Sequence, residues 1–490
     1  MSNLEHVAIN DPHVAAHNNE RDVINGIKNL ENEEFVSNLK ASIDEKVSGD
    51  LPNVSTDIGA TAAALFLAHL PVPAMTRAAP TFQTGSGLSD ATQYGTGSVA
   101  LGGTAVVRHK VIRTGAILRL VYTNFYPTSS AGATETDSPN DITVHASVEP
   151  VNGGTRIPVR VSGKIEFIVP AGGMVVSDPI GIDVKKGDYF WSWTWVSVSS
   201  GQKFPRGGFA ATAANGEGFN YPTTAAVGTD VTLSGSRPTT ANNYVYGPAA
   251  ILVEPVDPGK AVIGLVGDSI SAGTGDNQYG FVERWLADNY SLQRVPYPSE
   301  QMYKWVDNNG STRYRRAALL GLAGVTHILA GHIRNDISTS IATLMQKAIN
   351  YWTFLDRIAP GKVWAWTCTP YTSSTDSWAT VANQSPFSPT DEVNRIDYNT
   401  WLRDGAPMNP TTRVPVAVGA SGVRVGEAGH PLAGYLDVAD IAESARDSGK
   451  WKVTGSTAWT ADGIHPNSIG AAALAAGLPS PSTIFGPAST

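Results

Sequence analysis

The spacing of apolar residues along the chain changes character twice. Up to about residue 50 it is helical. Gly and Pro are scarce after Pro12, and Val36, Leu39, Ile43 and Val47 recur at intervals of three and four, which puts them on one face. Asp11 before Pro12 reads as an N-cap followed by proline at the first helical position. The apolar face covers about two heptads, short of what a coiled coil needs, so a helical hairpin and an oligomer contact are both open. Residues 60–70 form an apolar stretch about half as long as a membrane span, ended by Pro71, and read as a buried helix. Residues 76–103, rich in Ala, Pro, Thr, Ser and Gly, read as a linker.

From 104 to 255 the period is two. Ile142, Val144, Ala146 and Val148 alternate, and the short apolar runs 164–169 and 174–184 are broken by Pro170-Ala171-Gly172-Gly173 and Lys185-Lys186-Gly187-Asp188. Short strands between Gly and Pro turns predict a β-sandwich. Trp191, Trp193 and Trp195 share one face of a strand, as a core strand or as a platform for a sugar ring; the core is the expected reading. After Glu254-Pro255-Val256-Asp257-Pro258-Gly259-Lys260 the runs become short and continuously apolar, as in strands buried on both faces. Strands are expected at 261–266, 325–330, 362–367 and 414–418, with helices at 279–290 and 338–358. That alternation predicts a mostly parallel sheet with helices on both faces. The chain is thus expected to be multidomain: an N-terminal helical segment (1–75), a linker (76–103), a β-sandwich domain (104–255) and a C-terminal α/β domain (260–490).

Charge and composition narrow the classes. A net charge of −8 argues against binding driven by phosphate neutralisation, so no nucleic acid is expected as partner. Cys368 is the sole cysteine, which excludes an intramolecular disulfide and a zinc site built on several thiolates. Residues 1–6 show no basic region leading into an apolar one, so neither a secretory signal nor a membrane span is expected. No His and carboxylate cluster has metal-ligand spacing and no Gly-rich phosphate loop occurs, so no metal and no cofactor is expected. His327, His332 and His430 read as structural.

Three segments carry chemistry. Gly267-Asp268-Ser269 follows the first buried strand of the α/β region, where ligands of such sheets bind. Asp462-Gly463-Ile464-His465-Pro466 can supply the base that a hydroxyl nucleophile needs and the carboxylate that fixes the base's tautomer. Gly331-His332-Ile333-Arg334-Asn335-Asp336 follows the strand at 325–330 and places an amide, Asn335, where it could donate to a developing oxyanion. The residue two after Ser269 is Ser271, so this is not the Gly-x-Ser-x-Gly elbow of α/β-hydrolases.

Together these blocks resemble the SGNH (GDSL) hydrolase family over residues 260–480. They occur in the family's order, with 465 − 269 = 196 residues between nucleophile and base. The resemblance implies a flavodoxin-like parallel sheet and an ester hydrolase. Ser269, Asp462 and His465 would be catalytic, and the oxyanion hole would comprise the backbone N–H groups of Ser269 and Ser299 and the Asn335 side chain. The chain departs from the pattern at two places. Ile333 stands where the third block has glycine, and Ser299 is the best counterpart of the second block's glycine.

Residues 11–25, with the core His13-Val14-Ala15-Ala16-His17-Asn18, resemble a segment near the start of minor tail proteins of phages of actinobacteria. That implies a virion location, other tail proteins as partners and a homo-oligomer, with a trimer as one form. With the hydrolase blocks it points to an acylated glycan or lipid of a bacterial envelope as substrate. Two other readings are a receptor-binding tail protein with a degenerate hydrolase domain, and a free bacterial carbohydrate esterase, extracellular or cytoplasmic.

Overall fold

Period-two alternation builds the first half of the described chain. The computed structural model describes residues 100–489 apart from 128–134, 206–210, 242–244, 278 and 307–314, together with the backbone of Val72–Pro73 and Leu88–Ser89. Of the expected helical segment 1–75 only Val72–Pro73 is described, and it is a short strand rather than helix; the tail-protein-like segment 11–25 and most of the expected linker lie outside the described residues. Met1–Ala68 and His69–Thr490 are separate units, and every described residue belongs to the second.

Strands β1 (Gly102–Lys110), β2 (Gly115–Thr123), β3 (Ile142–Glu149), β4 (Phe167–Val169), β5 (Met174–Val176), β6 (Ile180–Val184), β7 (Tyr189–Ser197) and β8 (Ala250–Pro255) form two antiparallel sheets. One has β7 between β1 and β3, with Gly218–Phe219 beyond β1 and β4 also on β3. The other has β2 between β8 and β5, with β6 also on β2 and Val72–Pro73 on the far side of β8. Ile142, Val144, Ala146 and Val148 meet Leu118, Leu120, Phe190 and Val196 in one buried cluster.

The tryptophans depart from expectation. Phe190 and Val196 belong to the main core, so Trp191, Trp193 and Trp195 occupy the other face of β7. Trp191 and Trp193 pack with Val106 and Val231 in a small separate cluster. The Arg156 guanidinium lies 3.4 Å from the Trp193 ring centroid, and Trp193 Nε1–H donates to Glu149 at 2.6 Å. Trp195 Nε1–H donates to the Gly228 carbonyl at 2.9 Å. The stripe is neither inter-sheet core nor an open sugar platform. It is the outer face of the sheet, covered by arginines and a loop.

The second half alternates β9 (Val262–Gly267), α1 (Gly280–Leu286), β10 (Ser291–Arg294), α2 (Arg315–Leu322), β11 (His327–Gly331), α3 (Ile341–Asp356), β12 (Val363–Trp366), α4 (Pro389–Arg403), β13 (Gly434–Leu436), α5 (Val438–Ala442) and α6 (Ser468–Gly477). The sheet runs β10-β9-β11-β12-β13, all parallel, which is the 2-1-3-4-5 order of flavodoxin-like sheets. Successive residues of its strands face opposite ways. Val262, Val266, Ile328, Ala330, Val363 and Ala365 pack with α2, α3 and α4, whereas Ile263, Leu265, Leu329 and Trp366 pack with α1, α5 and α6. Trp352 of α3 and Trp401 of α4 stack with centroids 5.7 Å apart and ring planes 11° apart. The expected strand at 414–418 is absent from the sheet. Pro415 has no N–H for a ladder, Val414 and Val418 are exposed, and β13 takes the fifth position. Among the described residues no helix is long and apolar enough to cross a membrane.

The sandwich and one face of the parallel sheet share a single continuous buried cluster. A buried ionic chain crosses the same junction. Glu135, which precedes β3, accepts the backbone N–H groups of Arg315 (2.6 Å) and Arg316 (3.1 Å) at the start of α2. Arg316 Nε–H donates to Glu135 at 2.8 Å, and its Nη1–H and Nη2–H donate to Glu300, the former at 2.9 Å. Burial alone would push the Glu300 carboxyl up, but Arg316 and the His332 hydrogen bond hold it below its ordinary value. Glu135→Ala would leave Arg316 half-paired and the first turn of α2 uncapped. We expect it to lower stability by about 3 kcal/mol in urea unfolding followed by far-UV circular dichroism. A loss under about 1 kcal/mol, the range of exposed pairs, would refute this role.

Candidate active site

Ser269 lies two residues beyond the carboxyl end of β9, the strand flanked by β10 on one side and β11 on the other, where the strand order reverses. This switch point is where parallel sheets open a crevice. Gly267 and Gly331 end β9 and β11 side by side, and a Cβ at either would collide with Ser271, which sits against both strand ends. Asp268 is fully buried, and its Oδ1 accepts the Ile270 N–H at 2.9 Å, which folds the chain sharply around Ser269. The Thr274 N–H closes the turn on the Ser269 carbonyl at 3.0 Å.

His465 arrives on the loop before α6. Its Nε2 is 2.8 Å from Ser269 Oγ, and its Nδ1 is 2.6 Å from Asp462 Oδ2. Asp462 Oδ1 also accepts the N–H groups of Ile464 (2.9 Å) and His465 (2.8 Å). Burial pushes the Asp462 carboxyl up, but the bonds from the His465 ring and these amides outweigh it and hold it well below the usual carboxylate range. An ionised Asp462 can only accept, so Nδ1 carries the ring proton and Nε2 is left to accept from Ser269. Asn467, not Asp462, caps α6, its side chain accepting from Ile469 and Gly470.

Ser299 has φ +65°, the left-handed region that glycine occupies without cost, which fits its alignment with a glycine position. Ile333, at φ −173°, needs no such freedom and is buried in the core, so an apolar side chain is accommodated there. Three bonds tie the two loops together. Asn335 Nδ2–H donates to the Glu300 carbonyl (2.9 Å), Gln301 Nε2–H to the Asn335 carbonyl (2.7 Å), and Met302 N–H to Asp336 Oδ2 (2.9 Å). Fixed in this way, the Asn335 amide keeps a second N–H in reserve. The Ser269 and Ser299 backbone N–H groups donate to nothing among the described residues.

A cleft of about 220 Å³ gathers Ser269, Ser299, Asn335 and His465, with Asp462 behind His465. The rest of its wall has no role assigned from the sequence: Arg334, Ile337, Ser338, Tyr371, Asp391 and Ile464. Arg334 stands in the same block as Asn335, and Tyr371 lies five residues beyond the end of β12, so block and strand-end position were usable signals. Asp391, in the first turn of α4 under the Ser388 cap, carried none. His332 is buried, its Nε2 3.0 Å from Glu300 Oε2 and its Nδ1 2.7 Å from Tyr351 Oη. His430 is buried against the Ala406 carbonyl, and burial pushes His327 down to about 4. Among the described residues no group of three or more His, Cys, Asp or Glu could hold a metal ion.

No family model matches the chain, and no curated protein matches it. Solved structures similar to it include esterases, lipases and an acyltransferase. One is a family two carbohydrate esterase from Clostridium thermocellum in complex with cellohexaose, 11% identical, with 80% of this chain and 95% of that chain covered and a TM-score of 0.28. A carbohydrate esterase family 3 from Talaromyces cellulolyticus is 15% identical, with 44% and 93% covered and a TM-score of 0.27. The lipase/acylhydrolase from Enterococcus faecalis is 16% identical, with 44% and 92% covered and a TM-score of 0.26.

Two substitutions probe the loops. Ser299→Gly should raise stability by about 1 kcal/mol by relieving the left-handed backbone; a destabilised variant in urea unfolding would show that the serine side chain matters more. Burial pushes Asp336 up to about 6 despite the Met302 N–H bond and Lys347 3.8 Å away. Its folded value lies above the unfolded one, about 3.9, so its contribution is complete below pH 4 and lost as pH rises through 6. Asp336→Asn should therefore flatten the stability–pH curve between pH 4 and 7 by roughly 3 kcal/mol. Equal slopes for variant and wild type would contradict this.

Proposed function

We propose that this chain is a serine ester hydrolase in which Ser269, His465 and Asp462 act as a triad. The observation that carries the reading is the unbroken hydrogen-bond chain from Ser269 Oγ through the imidazole to Asp462, 2.8 and 2.6 Å. Ser269 Oγ attacks the ester carbonyl while His465 Nε2 takes its proton and Asp462 steadies the imidazolium. The tetrahedral oxyanion is held by the Ser269 and Ser299 N–H groups and the Asn335 amide. His465 then protonates the departing alkoxide as the ester C–O bond breaks, leaving an acyl-serine. Water, deprotonated by His465, attacks that acyl group, and Ser269 Oγ leaves with the proton. The intact chain favours turnover over a degenerate hydrolase domain.

The small cleft suits a short acyl group better than a fatty chain. For the setting we propose a phage tail, supported by the likeness of residues 11–25 to minor tail proteins, with other tail proteins and further copies of this chain as partners. The substrate would then be an acylated glycan or lipid of a bacterial envelope, with an acetylated glycan preferred on grounds of size.

The test is hydrolysis of p-nitrophenyl acetate, followed by acetate release from bacterial envelope glycan. Ser269→Ala and His465→Ala should each lower kcat/KM by roughly 10³-fold or more, and Asp462→Asn by at least about 10²-fold, with the fold retained. An inert wild type, or a Ser269→Ala variant with full activity, would overturn the proposal.

A further inference from the structure

Among the described residues the buried arginines are matched to carboxylates, with one exception beside Ser269. Arg113 pairs with Asp257, Arg316 with Glu135 and Glu300, and Arg395 with Glu392 and Glu443. Arg334 is 7% exposed, yet among the described residues it forms no ion pair. Its sole hydrogen bond there runs from Nη1–H to the Thr369 carbonyl at 3.3 Å. A guanidinium has five N–H donors and stays charged, so most of its capacity is unused. The side chain lines the cleft that holds Ser269 and His465, and its charged carbon sits 5.5 Å from the Tyr371 ring centroid. That ring and the Thr369 carbonyl fix the guanidinium before any ligand arrives. The cleft's own acid, Asp391, does not reach it and sits at the α4 N-terminus, where the helix amides favour its charge.

The buried Asp268 carboxyl feels the charge of Arg334 but makes no ion pair with it. Holding a desolvated cation without a directly paired carboxylate is unfavourable, and a ligand that supplies the missing oxygens gains charge-assisted hydrogen bonds to a pre-placed donor. We propose that Arg334 is a specificity-determining residue, and that the preferred substrates of this site are esters carrying an anionic group, such as a carboxylate, within reach of the scissile bond. The inference rests on the ester-hydrolase reading and deepens it. The anion can belong to the acyl part or to the alcohol part of the ester.

Two matched pairs separate those sources. p-Nitrophenyl hemisuccinate against p-nitrophenyl butyrate places the charge on the acyl side. 4-Acetoxybenzoate against 4-acetoxybenzamide places it on the alcohol side. The wild type should favour the acidic member of at least one pair by about tenfold or more in kcat/KM. Arg334→Met should cut that ratio at least about tenfold, mainly through KM, and Arg334→Lys should keep part of it. A wild type indifferent to charge in both pairs overturns the inference. So does an Arg334→Met variant that slows acidic and neutral esters alike, since Arg334 would then act on the common oxyanion. If no ester is turned over at all, the hydrolase reading fails by itself. Binding then still tests Arg334: benzoate should shift cleft resonances in the wild type more strongly than benzamide and lose that advantage in Arg334→Met, whereas equal binding overturns the inference.

Discussion

Arg316 is the constraint on which the arrangement depends. It is 3% exposed, and a guanidinium so placed is tolerable only with its charge answered. The answer comes from both sides, Glu135 from the sandwich and Glu300 from the loop after β10. Glu300 in turn collects the Trp305 indole N–H and His332 Nε2, and its carbonyl takes the Asn335 amide. Ser299 is its immediate neighbour. The loop that carries Ser299 to the cleft is therefore held in position by an ionic chain that begins in the other half of the described chain. The shared apolar core spans the same junction.

The Ser269 side of the cleft is built differently. Ser269, Asp268 and Ser271 are set by the ends of two parallel strands whose glycines allow close packing, and by turns within six residues of sequence. Asp462 and His465 orient each other across three residues through both backbone and ring. Those bonds are local and charge-assisted, so the pair keeps its geometry although the Asp462 side chain is 51% exposed. One wall of the cleft depends on long-range burial, and the other depends on short-range hydrogen bonds.

That division also explains what could be read from the sequence. Ser269, Asp462 and His465 stand in short segments whose spacing has a chemical reason, and the structure brings them within hydrogen-bond distance. Strands β9, β11 and β12 are visible as continuous apolar runs because both faces of the sheet are covered. β13 is not, since Gly434, Tyr435 and Leu436 make too short a run, and 414–418 mimics it with valines around a proline. The tryptophan stripe gives the same period whichever face of β7 it occupies, so its side could not be chosen. Glu135 and Arg316 are 181 residues apart and follow no pattern. Arg334 is masked by its neighbour, because the amide of Asn335 accounts for the block's chemistry without it.

The stacked indoles of Trp352 and Trp401 have a consequence outside chemistry. Two identical chromophores stacked with centroids 5.7 Å apart are close enough for their transition dipoles to couple. Their coupling depends on the docking of α3 against α4, on the face of the parallel sheet that shares its core with the sandwich. Trp191 and Trp193, beneath arginines on the outer face of β7, belong to a separate optical environment. Among the chain's twelve tryptophans, these two groups thus lie one in each half of the described chain.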